Sequence, residues 1–168
     1  MKKYPRALFA IVAFLSLIIA FGLGMLAEKR LRPAVVNYVV EPNDQNLGKG
    51  VIIDFLGSLH DKDYSKAVTA FGGDYTILRN WNPDIAPTDL ADLWKNGCEL
   101  NGLECLEIRN LAFASQPDSD TINYNVWFSN ADKITEFKDP QSGASFFKFT
   151  VKRIDGKLLV ITPPVYVQ

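Results

Sequence analysis

Hydrophobic and polar positions change rhythm three times along this chain. Residues 7–27, ALFAIVAFLSLIIAFGLGMLA, contain no charged side chain. Between residues 47 and 97, apolar side chains recur at three- and four-residue steps. From residue 105 onward the step shortens to two. Two periods in one chain, helical first and alternating second, predict helices followed by an antiparallel sheet.

The helical part divides at its turn signals. Leu47, Val51, Phe55 and Leu59, with Ile52 and Leu56 beside them, predict an amphipathic first helix. Asp61 or Asp63 caps a second, whose face is Tyr64, Ala67, Val68 and Phe71 and whose end is Gly72-Gly73. Residues 75–78 read as a short strand or an extended turn, and 80–83 as irregular. Pro87-Thr88-Asp89 opens a third helix with Leu90, Leu93 and Trp94 on one side and Gly97 at its end. Ahead of these, residues 41–50 (EPNDQNLGKG) read as a linker. Residues 34–40 (AVVNYVV) read as a short strand or an extended segment on the domain.

In the alternating part, residues 105–114 predict a strand. Ile122, Tyr124, Val126 and Phe128 alternate with Asn123, Asn125, Trp127 and Ser129 in a half-buried strand. Residues 145–154 form the next, Asp155-Gly156 turns it, and residues 157–162 close the sheet before Pro163-Pro164. The fold class expected is α+β, with helices packed on one face of a curved antiparallel sheet.

The uncharged run is 21 residues long. A helix of roughly 20 residues crosses a ~30 Å hydrocarbon core. Lys2, Lys3 and Arg6 precede it; Glu28, Lys29, Arg30 and Arg32 follow. A cleaved signal peptide has an apolar core of roughly 7–15 residues and a small-x-small site. Here Ala20-Phe21-Gly22 lies inside the run, and Met25-Leu26-Ala27 starts with a bulky residue. The expectation is an uncleaved signal anchor over residues 1–32, then a linker or short strand over 33–49 and a domain over 50–168. The basic start favours an N-terminus held in the cytoplasm and a domain outside it, as a single-pass protein of the cell membrane.

Charge separates once the anchor is set aside. The first 32 residues hold six of the 18 basic side chains and one of the 19 acidic ones. The remaining 136 carry 12 basic against 18 acidic, a net charge of −6. A domain so acidic and without a basic stripe is not built for nucleic acid. Cys98 and Cys105 flank Asn101-Gly102, a turn signal that brings them together. Outside the cytoplasm they form a disulfide; two free structural thiols are the alternative. With His60 as the one histidine, they do not make a metal site.

The first helix, the Asp-Lys-Asp-Tyr-Ser-Lys-Ala-Val link over residues 61–68, and the closing Phe-Phe-Lys-Phe-Thr-Val…Asp-Gly-Lys-Leu hairpin together resemble the nuclear-transport-factor-2-like superfamily, also called cystatin-like, in its membrane-anchored bacterial type. The resemblance spans residues 46–166. It implies a cone of helices on a curved sheet around an apolar pocket. Some members are isomerases, dehydratases or cyclases; many bind ligands or dimerise without chemistry. The pocket aspartate of the catalytic members has no matching motif here, so no catalytic residue and no cofactor are carried over.

Candidate chemistry is sparse. His60, near Asp61 and Asp63, is either a general base or a helix-end histidine facing the dipole. Asp84, Asp89, Asp92 and Glu99 read as a solvated helix rather than a calcium loop. Tyr75, Trp81, Trp94, Tyr124 and Trp127 either line a pocket wall or pack in the core and its rim. Trp127 stands out because its strand face otherwise bears Asn123, Asn125 and Ser129. The ligand or interface candidates are therefore Trp127, Asn125, Asn123, Tyr75 and Trp94. The functional expectation is a non-catalytic binding or protein-interaction domain, with a second copy, an envelope protein or a small apolar ligand as partner. A small pocket enzyme and a structural accessory subunit of an envelope complex are the alternatives.

Overall fold

The computed structural model describes residues 42–132, 134–139 and 142–166. The apolar run at 7–27 and the segment 34–40 lie outside them. Among the described residues no helix is long and apolar enough to cross a membrane.

Helix α1 (Pro42–His60) begins inside the segment expected as a linker. Proline suits a first helical turn, and Asp44 lies at the positive end of the dipole. Burial then outweighs the poor propensity of the asparagines and glycines. The buried stripe is Gly48, Ile52, Phe55, Leu56 and Leu59. Leu47 stays 51% exposed and Val51 is half-buried, so the helix is rotated from the face predicted for it. Tyr124 on the sheet explains the rotation. Its hydroxyl donates to the Gln45 carbonyl at 2.6 Å, and its ring crosses the helix at Gly48, where a Cβ would stand 2.5 Å from the Tyr124 oxygen. Arg153 also holds the helix start, with Nη2 2.8 Å from Asp44 Oδ2.

After a tight turn with Lys62 in the left-handed region (φ 63°), α2 (Tyr64–Ala70) starts on Asp63, whose carboxylate accepts from the Lys66 N–H. Its end is extended: Phe71 bridges Val160, and the Gly72 N–H donates to the Val160 carbonyl at 2.9 Å. Residues 75–78 are not a strand. They enter α3 (Thr76–Trp81), which also takes in part of the stretch expected to be irregular. Asp74 promotes this helix by accepting from both the N–H and the hydroxyl of Thr76, at 2.9 and 2.7 Å. Helix α4 (Leu90–Glu99) is capped by Asp89 as predicted. Gly97 does not stop it. It is buried within the helix, where a Cβ would meet Leu103 Cδ1 at 2.7 Å.

The strand expected over 105–114 is β2 (Ile108–Ser115), which starts three residues later, and a short β1 (Leu103–Glu104) precedes the expected range. With β3 (Thr121–Phe128), β4 (Phe147–Ile154) and β5 (Lys157–Val160), β2 forms a four-stranded antiparallel meander. Beyond Pro163-Pro164 the chain makes β6 (Val165–Tyr166), which pairs with β1 in a separate two-stranded sheet. Asp155 and Gly156, both at positive φ, make the β4–β5 turn read from sequence. The fold is α+β. Helices and sheet meet in one core, with β3 contributing Ile122, Tyr124, Val126 and Phe128.

At the centre, Phe71 stacks on Phe55 (5.2 Å between centroids) and meets Tyr75 (5.2 Å) and Trp94 (4.9 Å) edge-on.

Two glycines of α1 give opposite expectations. Gly48→Ala drives a methyl group against Tyr124 and is expected to cost about 1–3 kcal/mol. Gly50→Ala meets nothing within 4 Å and is expected to stabilise by about 0.5–1 kcal/mol. Urea midpoints of the two variants check the helix rotation. Replacing both Cys98 and Cys105 by serine opens a short loop and is expected to cost about 2–3 kcal/mol in the same assay.

Candidate functional site

Alternation along β3 turns Asn123, Asn125 and Trp127 away from the core. The register gives them their neighbours. Asn125 lies between Ala112 and Lys148, Asn123 pairs with Ser115 and Thr150, and Trp127 pairs with Asn110. Asn123 is tied across both strands: its Nδ2 donates to Ser115 Oγ at 3.0 Å, and its Oδ1 accepts from Thr150 Oγ1 at 2.9 Å. Trp127 lies against Phe146, 5.7 Å between centroids, and Phe146 is itself 44% exposed. Asn125 Oδ1 is buried without a hydrogen-bond partner. Sequence reading singled out three members of this face and passed over Phe146, which lies at the start of the strand expected over 145–154, on the face opposite Phe147, and just ahead of the observed β4.

Tyr75 and Trp94 do not join that face. Both are buried in the core, where the Trp94 indole N–H donates to the Tyr75 hydroxyl at 3.1 Å. Burial pushes the Tyr75 hydroxyl above its usual pKa, partly offset by the bond from Trp94. The five candidates therefore divide into an outward group of three and an inward pair.

Cys98 and Cys105 are joined in a disulfide, 5.7 Å between Cα atoms. They line a groove of about 430 Å³ between the ends of α1 and α4 and strand β1. His60 closes one side. Its Nδ1 lies 3.2 Å from the Cys105 carbonyl oxygen, and Asp63 is engaged in capping α2. Glu99 accepts from the Tyr64 hydroxyl at 3.1 Å and pairs with Lys62 Nζ at 3.2 Å. These bonds hold the Glu99 carboxyl below the usual range. Burial, and then Glu99, push the Tyr64 hydroxyl up to about 12. A carboxylate engaged by two donors is a poor general base, so this cluster links α2 to α4 rather than forming a catalytic pair. Among the described residues no group of three or more His, Cys, Asp or Glu side chains is placed to hold a metal ion.

Tyr64 gives a pH expectation. Its folded pKa lies above the unfolded value near 10, so the folded state retains the proton longer. Stability from this group is complete below pH ~10 and is lost as pH rises towards 12. Tyrosine-resolved NMR titration is expected to show Tyr64 ionising at about 12, and Glu99→Gln to bring that value down.

Comparison of the chain with family models, with curated proteins and with solved structures gives no match in any of the three.

Proposed function

We propose that this chain is a membrane-tethered extracytoplasmic domain that binds a protein partner through the outer face of its sheet and performs no chemistry. The observation that carries this reading is the composition of that face. Trp127 and Phe146 lie side by side, among the amides of Asn123 and Asn125. Tryptophan is enriched at binding hot spots. A second copy is the partner we favour, because a two-fold axis through the face would pair its aromatic residues and amides with themselves.

Two independent features support the compartment we propose. The Cys98–Cys105 disulfide persists in oxidising surroundings. The uncharged run at 7–27 is long enough to span a bilayer, with basic residues ahead of it. The nuclear-transport-factor-2-like kinship we infer is with the non-catalytic members, since the chain carries no match to the pocket-aspartate motif of the catalytic ones.

Sedimentation of the full chain in lipid nanodiscs tests the contact. A dimer is expected, and Trp127→Ala should weaken it by about 2 kcal/mol or more, roughly thirtyfold in dissociation constant. A wild-type monomer at high micromolar concentration, or an unmoved equilibrium in the variant, would sink the assignment of this face.

A further inference from the structure

A second feature lies on a different side of the domain and does not depend on the tether or the sheet face. An apolar cleft of about 140 Å³ opens between α3, β1 and the 163–166 segment. Ile77, Trp81, Leu103, Pro164 and Tyr166 wall it, with buried Trp94 behind them. Trp81 and Tyr166 lie against each other, 5.0 Å between centroids, while Ile77 (58% exposed) and Tyr166 (45%) stand at the mouth. Proline and aromatic walls have few rotamers to lose, so the cleft needs little ordering when filled. The Trp94 indole N–H is already committed to Tyr75.

Size and charge narrow the occupant. An apolar cavity of ~150 Å³ is known to take benzene, so this volume suits a single six-membered ring. One charged side chain lines the cleft, the exposed Asp74. Its Oδ1 accepts from the Thr76 N–H and hydroxyl, which fixes the carboxylate in place. These bonds also keep its carboxyl below the usual range, and therefore charged at neutral pH. The nearby cation, Arg79, adds to the lowering of the Asp74 carboxyl, but no ion pair joins the two. The Arg79 Nε donates to the Pro87 carbonyl and its guanidinium lies 5.8 Å over the Tyr75 ring. The net charge of −6 over residues 33–168 adds a field that attracts cations.

We propose that this cleft binds a small arylalkylamine, with its ring against Trp81 and Tyr166 and its ammonium on the Asp74 carboxylate. The apolar walls supply most of the affinity, and Asp74 supplies the preference for a cation over a neutral molecule of the same shape. With about nine non-hydrogen atoms, such a ligand binds in roughly the millimolar range.

The probes are phenethylammonium and toluene, a smaller neutral arene that reports on the ring site alone, titrated into the full chain in lipid nanodiscs. The chain has three tryptophans, so 5-fluorotryptophan labelling gives three ¹⁹F signals. Both probes are expected to move Trp81 and Trp94 saturably and leave Trp127, on the sheet face, unmoved. Asp74→Asn keeps an acceptor for Thr76 and is expected to weaken phenethylammonium roughly three- to fivefold, with toluene unchanged. Ile77→Lys, at an exposed position, puts a like charge at the mouth and is expected to act in the same direction. It carries the test if Asp74→Asn lacks native near-UV circular dichroism. Absence of a saturable shift at Trp81 and Trp94 would overturn the site. Equal phenethylammonium affinity in the wild type and a folded variant would overturn the role of Asp74 and with it the amine assignment.

Discussion

The structure turns on Phe71. One residue ends α2, leaves helical geometry and bridges the backbone of β5 at Val160. Its ring lies between Phe55 of α1, Tyr75 before α3 and Trp94 of α4, all within 5.2 Å between centroids. Ring pairs of this kind add about 0.5–1.5 kcal/mol each beyond the area they bury. The chain can reach β5 there because Gly72 and Gly73 have no side chains. A Cβ on Gly72 would meet Leu159 at 2.8 Å, and one on Gly73 would meet the Ile161 carbonyl at 2.5 Å. Rings from α1, from α4 and from the residue before α3 therefore meet beside the bridge to β5.

A core closed in this way leaves recognition to surfaces. The polar network inside is small and satisfied at its key point, the Trp94–Tyr75 bond. An unpaired indole at that depth would be costly, and the Tyr75 hydroxyl supplies its partner. Outward features carry different chemistry. The sheet face offers amides and two adjacent aromatic rings; the Trp81 cleft offers apolar walls and one carboxylate. The two are distinct regions of one domain, with their own lining residues and their own tryptophans.

Ionic contacts secure the edges more than they stabilise the whole. Lys66–Asp54 joins α2 to α1 at 3.1 Å with both groups exposed, so it contributes little. Arg153 differs. It reaches Asp44 from β4 with both side chains about 30% exposed or less, and its N–H donates to the Asp120 carbonyl at 2.7 Å. This contact, together with Tyr124 on Gln45, sets where α1 begins and which way it faces.

Local rules were enough for much of this protein. Alternation marked β3, because a strand with one buried face must repeat every second residue. Aspartates 63 and 89 marked helix starts, because their carboxylates satisfy N–H groups that the first turn leaves open. Asp155-Gly156 marked a hairpin through its tolerance of positive φ. The cysteines, brought close by Asn101-Gly102, marked their own bond. What the tertiary structure decided is where contact partners lie far apart in sequence. The rotation of α1 depends on Tyr124, 79 residues beyond Gln45. The burial of Gly97 inside α4 depends on Leu103 passing over it. Strand β6 exists because β1, some 60 residues earlier, supplies its hydrogen bonds. The separation of Tyr75 and Trp94 from Trp127 has the same origin. An aromatic side chain reads alike in sequence whether it fills a core or faces water, and only packing assigns the side.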